Sequence, residues 1–379
     1  MANGDSGTSV QRDRDEATSP RVGAASLDRC DGGAAAGFNG LDWEFAGLRS
    51  RDRPLPQSLV APGHTSSGRV ELETVLAAVR EAYPNEKLSV INLPQKPDEV
   101  YEVQMQSPSV GQVRTAYVNP YNGELLGWRL RRHSLMGFLY ELHAYLLGGE
   151  TRRIVIGISG LLLLLFSITG LFLWPGWRRL VTGLKIRWRA PRPLLNYDIH
   201  KVGGVSSVVF LILTASTGAL LGFWTQAEPV VYWLTHTPQL AEPASTLLPG
   251  KLPLALDEIL PKADAALPGA QTIWIELPSA PQAAVSVRKK FPQETDPYGD
   301  SLVYLDQYSG KVLRVDNALK APLGAQIMNS LYPVHTAAFG GLKLRTLYVF
   351  LGLIPTLLLI TGLAIRWSRT YDIPRLIQR

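Results

Sequence analysis

Three uninterrupted apolar runs dominate the hydropathy pattern: Ile154 to Trp174, Val202 to Ala227 and Thr346 to Ile365, each without a charged residue. A hydrocarbon core of about 30 Å takes roughly 20 helical residues at about 1.5 Å each, so each run predicts a spanning helix. Between the runs the pattern changes period. "VELETVLAAVREAYP", from Val70, places apolar residues at helical spacing and stops at a proline. "KLSVINLP", "EVYEVQMQ" and "RTAYVNPYNGELLGW" then alternate as short strands, with a turn at Asn122-Gly123. The same order returns after the second run. "LPLALDEILPKADAALPG" reads as helix, and "QTIWIELP", "QAAVSVRKK" and "SLVYLDQYSGKVLRV" read as strands. Asn119 to Gly123 and Asp306 to Gly310 mark equivalent turns, whose ordinary role is chain reversal.

These elements predict a membrane α-helical protein with three spanning helices and two small α+β extramembrane domains. Residues 1–60 form a tail with no apolar period, expected to be disordered and lacking the apolar core of a signal peptide. The units that follow are an α+β domain at 61–133, a histidine segment and helix at 134–175, a basic loop at 176–201 and a helix at 202–227. A second α+β domain occupies 228–330, a second histidine segment and helix 331–367, and a tail 368–379.

The two histidine segments are copies of one element. "YELHAYLLGG" (140–149) and "YPVHTAAFGG" (332–341) place a tyrosine three residues before a histidine and Gly-Gly shortly after it. Counting on from His143 and from His335, an arginine follows at ten residues (Arg153, Arg345), a glycine at seventeen (Gly160, Gly352) and Thr-Gly at twenty-six (Thr169-Gly170, Thr361-Gly362). Such agreement defines parallel repeats, so equivalent residues fall at equal depth in the bilayer.

Charge sets the orientation. The net charge of +6 in 379 residues does not point to nucleic acid, because the basic residues gather at the ends of the apolar runs, where they face headgroups. Arg178, Arg179, Lys185, Arg187, Arg189, Arg192 and Lys201, and beyond the third run Arg366, Arg369, Arg375 and Arg379, mark those sides as cytoplasmic. Both α+β domains then lie outside, although Arg129, Arg131, Arg132, Arg152 and Arg153 weaken the bias.

The candidate chemistry is narrow. With Cys30 the single cysteine, an internal disulfide, a thiolate-ligated cluster and covalent c-type haem attachment are excluded, so a metal needs histidine or oxygen ligands. His143 and His335, at matched repeat positions near the outer face, can supply the two axial ligands of a haem iron. Gly148, Gly149, Gly340 and Gly341 give the chain room to bend there. Arg153 and Arg345 either pair with haem propionates or anchor the interface by snorkelling, and the spacing leaves both open. His200 lies at the inner face. A second haem there needs another histidine from that side, and the sequence supplies none. His236 reads as a loop residue, and His133 and His64 as surface residues. A zinc or copper site is disfavoured for want of a third ligand. The Thr-Gly pairs, with a third at Thr217-Gly218, read as close-packing sites, the tryptophans near the run ends as an aromatic belt, and Pro355 as a kink. Neither a P-loop nor a dinucleotide fingerprint is present, so any soluble reductase feeding the protein is another polypeptide.

From about residue 65 onward the chain resembles the PepSY-associated transmembrane family of bacterial inner-membrane proteins. The resemblance rests on the "LH" and "VH" segments before Gly-Gly, the three "TG" helix ends with nearby tryptophan, and the two "D/N-x-x-x-G" strand pairs. It implies an inner-membrane, multi-pass protein with both PepSY-like domains external. It also implies haem b held by His143 and His335, His200 belonging to an inner haem, and outward electron transfer to a ferric siderophore or similar iron chelate from an unidentified donor. The resemblance implies four helices, of which this sequence is expected to lack the first. The alternative reading is non-enzymatic: a membrane-anchored PepSY module that binds a partner such as a peptidase.

Overall fold

The computed structural model describes residues 68–106, 113–247, 250–294 and 296–371. The N-terminal tail, with Cys30 and His64, lies outside them. Helix α1 (Leu72–Ala82) buries Leu72, Val75, Leu76 and Val79, one stripe at helical spacing. Strands β1 (Lys87–Asn92), β2 (Tyr101–Gln106), β3 (Val113–Val118) and β4 (Leu125–Leu130) follow. The second copy is α7 (Leu256–Ala266), which buries Leu256, Ile259 and Ala263, followed by β5 (Gln271–Glu276), β6 (Val285–Lys290), β7 (Ser301–Leu305) and β8 (Val312–Asp316).

The two copies join into one antiparallel sheet of order β4-β3-β2-β1-β5-β6-β7-β8. The two units read from the sequence therefore share a single sheet. The join pairs Ile91 with Ile275, both fully buried, where β1 meets β5. Pairing these strands satisfies backbone groups that would leave an open edge on each copy. The helices α1 and α7 cover one face together, and their apolar stripes form a core with Ile91, Val103, Ile275 and Val303. Asp257 at the start of α7 caps α1, its carboxylate accepting from Leu72 N at 2.8 Å and Glu73 N at 2.9 Å. The matched turns form as read: Gly123 N donates to Asn119 O at 3.0 Å and Gly310 N to Asp306 O at 2.8 Å, with φ of 72° and 66° at the two glycines.

Beyond the sheet, three segments among the described residues are long and apolar enough to cross a membrane: Thr151–Trp177, Arg192–Gly222 and Ala338–Ser368, with mean hydropathy of 2.5, 1.9 and 2.2. Their side chains are mostly uncovered. Phe172 is 79% and Val209 78% exposed, which suits hydrocarbon and not water. The first segment contains α3 (Glu150–Phe172), and the short helix α4 (Leu180–Leu184) follows it. The second is α5 (Arg192–Gly222), and it starts earlier than the apolar run because its polar first turns are tied down. Asp198, fully buried, takes Arg187 Nε and Nη2 at 2.8 Å each and Lys201 Nζ at 3.0 Å. The end of the second run turns off as a separate helix, α6 (Trp224–Leu234). The third segment breaks into α9 (Gly341–Gly352) and α10 (Ile354–Tyr371) beside Pro355, which lacks the N–H that would bond one turn back.

Candidate functional site

Each histidine sits near the end of a short helix that stops ahead of an apolar segment. Helix α2 (Leu135–Tyr145) is capped by Ser134, whose hydroxyl accepts from Gly137 N, and it carries His143 in its last turn. Helix α8 (Leu323–His335) ends on His335. Both then bend in the same way. Gly149 has φ 72° and ψ −166°, and Gly341 has φ 63° and ψ −163°, a conformation open to glycine alone. The repeat visible in the sequence is thus a repeat of backbone shape.

That shape brings the two histidines together. Their ring centroids lie 6.1 Å apart with 30° between the ring planes. His143 is exposed and His335 is half-buried. The surrounding protein nevertheless removes enough hydration to lower the basicity of both rings, and His335, which also faces His143, falls to about 4. Both imidazoles are therefore neutral near pH 7, the form that ligates a metal. Among the described residues no group of three or more His, Cys, Asp or Glu side chains is placed to hold a metal ion, so a metal held here depends on this pair.

His200 lies elsewhere, near the other end of α5. Seventeen residues separate it from Thr217, or about 25 Å of helix. Arg153 is buried and its guanidinium donates to the carbonyl of Leu221 through Nε at 3.1 Å and Nη2 at 2.8 Å, tying α3 to the last turn of α5. Arg345 lies near enough to Tyr298 of the sheet domain and Tyr332 of α8 for its charge to act on both phenols. Burial nonetheless dominates there and pushes the Tyr298 hydroxyl up to about 12. His236 is an exposed loop residue and His133 is exposed.

The sequence reading missed what the Thr-Gly pairs do. Thr217 Oγ1 lies 3.0 Å from His335 Nδ1, and Thr361 Oγ1 lies 3.0 Å from His200 Nδ1. A Cβ on Gly218 would come within 2.9 Å of His335 Cε1, and one on Gly362 within 3.5 Å of His200 Cε1. Two of the three pairs are therefore seats for imidazoles. Only the recurrence of Thr-Gly beside recurring histidines could have hinted at this, since the partners lie far apart in sequence.

Three apolar spanning segments, an extramembrane antiparallel sheet and a facing pair of histidines at the membrane margin define a multi-pass membrane protein with an internal duplication. The family model described as the PepSY-associated TM region matches residues 23–369, and the chain belongs to that family. The match begins well ahead of residue 65, where the recognisable motifs start. No curated protein matches the chain.

Proposed function

We propose that this chain is a b-type haem-binding membrane protein that passes electrons to a ferric chelate, a siderophore or similar iron ligand, on the side where the sheet lies. The observation that carries the reading is the 6.1 Å separation of the His143 and His335 rings. Metal–nitrogen bonds of about 2 Å, and roughly 1 Å more from nitrogen to ring centre on each side, put two imidazoles about 6 Å apart when each turns a ring nitrogen toward one metal between them. Three further features support it. Both rings stay neutral near pH 7, both keep accessible surface, and each is carried by a helix end that a left-handed glycine separates from its membrane span.

In this reading His143 and His335 would hold the haem, and His200 would offer a ligand on the far side of the bilayer, where the basic loop lies. Haem, when bound, supplies one-electron redox chemistry. Arg345, whose charge reaches Tyr298 and Tyr332, is available to an anionic group on the sheet side, while Arg153 braces α3 against α5. The chelate is substrate: one electron turns its ferric iron ferrous, which a hard-oxygen chelator holds less firmly.

The test is spectroscopic. Protein purified from haem-sufficient cells should give a b-type pyridine haemochrome and a low-spin reduced-minus-oxidised spectrum. Once chemically reduced, it should be reoxidised by a ferric hydroxamate with release of trappable ferrous iron. A pigment-free preparation overturns the reading in favour of a non-enzymatic partner-binding module.

A further inference from the structure

The hydroxyls that meet the histidines are themselves constrained. Thr217 Oγ1 lies 2.7 Å from Leu213 O and Thr361 Oγ1 lies 2.8 Å from Leu357 O, each carbonyl one turn back in its own helix. A carbonyl can only accept and a hydroxyl has one hydrogen to give. That hydrogen belongs on the short contact to the carbonyl, because placing it elsewhere would leave two oxygens face to face in a low-dielectric helix interface. The oxygen then turns a lone pair toward the imidazole, and the hydrogen of the 3.0 Å contact must come from Nδ1. A neutral imidazole has one N–H, so its other nitrogen, Nε2, keeps its electron pair.

We infer that the Thr217-Gly218 and Thr361-Gly362 pairs are histidine-orienting modules, in which the threonine oxygen fixes the Nδ1–H tautomer of His335 and His200 and leaves Nε2 as the ligand nitrogen. The glycine leaves room for the ring to hold that pose. Thr217 and Thr361 are positioning residues, acting on a ligand only through the imidazole. Their role toward an iron rests on the haem reading, but the tautomer itself does not. The third pair shows that the dipeptide is insufficient without a ring across from it. Thr169 Oγ1 bonds Leu165 O of its own helix at 2.8 Å, and a Cβ on Gly170 would meet nothing within 4 Å.

An acceptor on Nδ1–H also makes Nε2 more electron-rich, which favours ferric over ferrous iron at that nitrogen. Removing it should therefore shift a potential as well as a tautomer.

The deciding experiment is nitrogen-15 NMR of histidine-labelled full-length protein in detergent, first without haem, with signals assigned by His200→Ala and His335→Ala. The wild type should show His335 and His200 as Nδ1–H tautomers. Thr217→Val should release the preference at His335 alone, Thr361→Val at His200 alone, and the serine variants should retain it. In haem-loaded protein Thr217→Val should raise the outer midpoint potential by up to a tenfold change in the redox equilibrium, about 59 mV for one electron, with Thr217→Ser close to wild type. An Nε2–H tautomer at His335 in the wild type overturns the inference, even if the valine variant fails to fold. So does a tautomer unmoved in a folded Thr217→Val. Intact Nδ1–H tautomers in a protein that takes up no haem would instead overturn the proposed function and leave the orienting role standing.

Discussion

His143 and His335, from the two halves of an internal duplication, hold their ring centroids 6.1 Å apart. Neither helix end makes the pair alone. It arises because both copies stop a short helix at the same height, bend at a left-handed glycine and enter the membrane beside α5.

Replacing either ring should therefore be equivalent. His143→Ala and His335→Ala are each expected to abolish the outer low-spin haem signal in the reduced-minus-oxidised spectrum, while His200→Ala leaves it in place. An unaltered spectrum in both outer variants would show that the facing rings are not the ligands.

The glycines beneath the rings give a graded prediction. Gly218→Ala sets a Cβ 2.9 Å from His335 Cε1, closer than ordinary contact, whereas Gly362→Ala leaves 3.5 Å at His200. Gly218→Ala should displace the ring and cost at least tenfold in haem occupancy, read from the haem-to-protein absorbance ratio. Gly362→Ala should stay within about twofold of wild type. Equal effects would argue against steric seating.

The sheet domain should respond to pH through Asp300. Burial raises its carboxyl from 3.8 to about 7, Asp296 adds to the shift, and Arg288 at 3.6 Å only partly opposes it. The folded form thus binds the proton more tightly than the unfolded chain, so this group destabilises the fold increasingly as pH rises from about 4 through about 7. The thermal midpoint of the wild type should rise as pH is lowered from 8 toward 5. Asp300→Asn should flatten that slope and raise the midpoint at pH 8. A slope identical in the two proteins would remove Asp300 as its source.

At the other end of the molecule, Asp198 holds Arg187 and Lys201, and the Lys201 ammonium also donates to Thr182 O at 2.8 Å. Asp198→Ala leaves that buried ammonium without its counter-charge, which should cost about 3 kcal/mol. The loss would appear as a lower unfolding midpoint in detergent. An unchanged midpoint would mean that Lys201 finds water or headgroup once the carboxylate is gone.

Much of this protein is legible along the chain. The three spanning segments, the helix-then-strands order of each copy, the turns at Asn119 and Asp306, and the break beside Pro355 follow from period, composition and proline, which act within a few residues. Membership of the PepSY-associated family follows from the same local motifs, and matched offsets place His143 and His335 at equal depth. Tertiary structure alone decided the rest. That β1 pairs with β5 to fuse two units into one sheet depends on which edges meet. Arg153 reaches a carbonyl of α5, and Thr217 and Thr361 reach rings on other helices, because of how those helices cross. The sequence can supply a hydroxyl and an imidazole at known depths, but only packing sets them 3.0 Å apart, since that distance belongs to two helices and to neither one's own pattern.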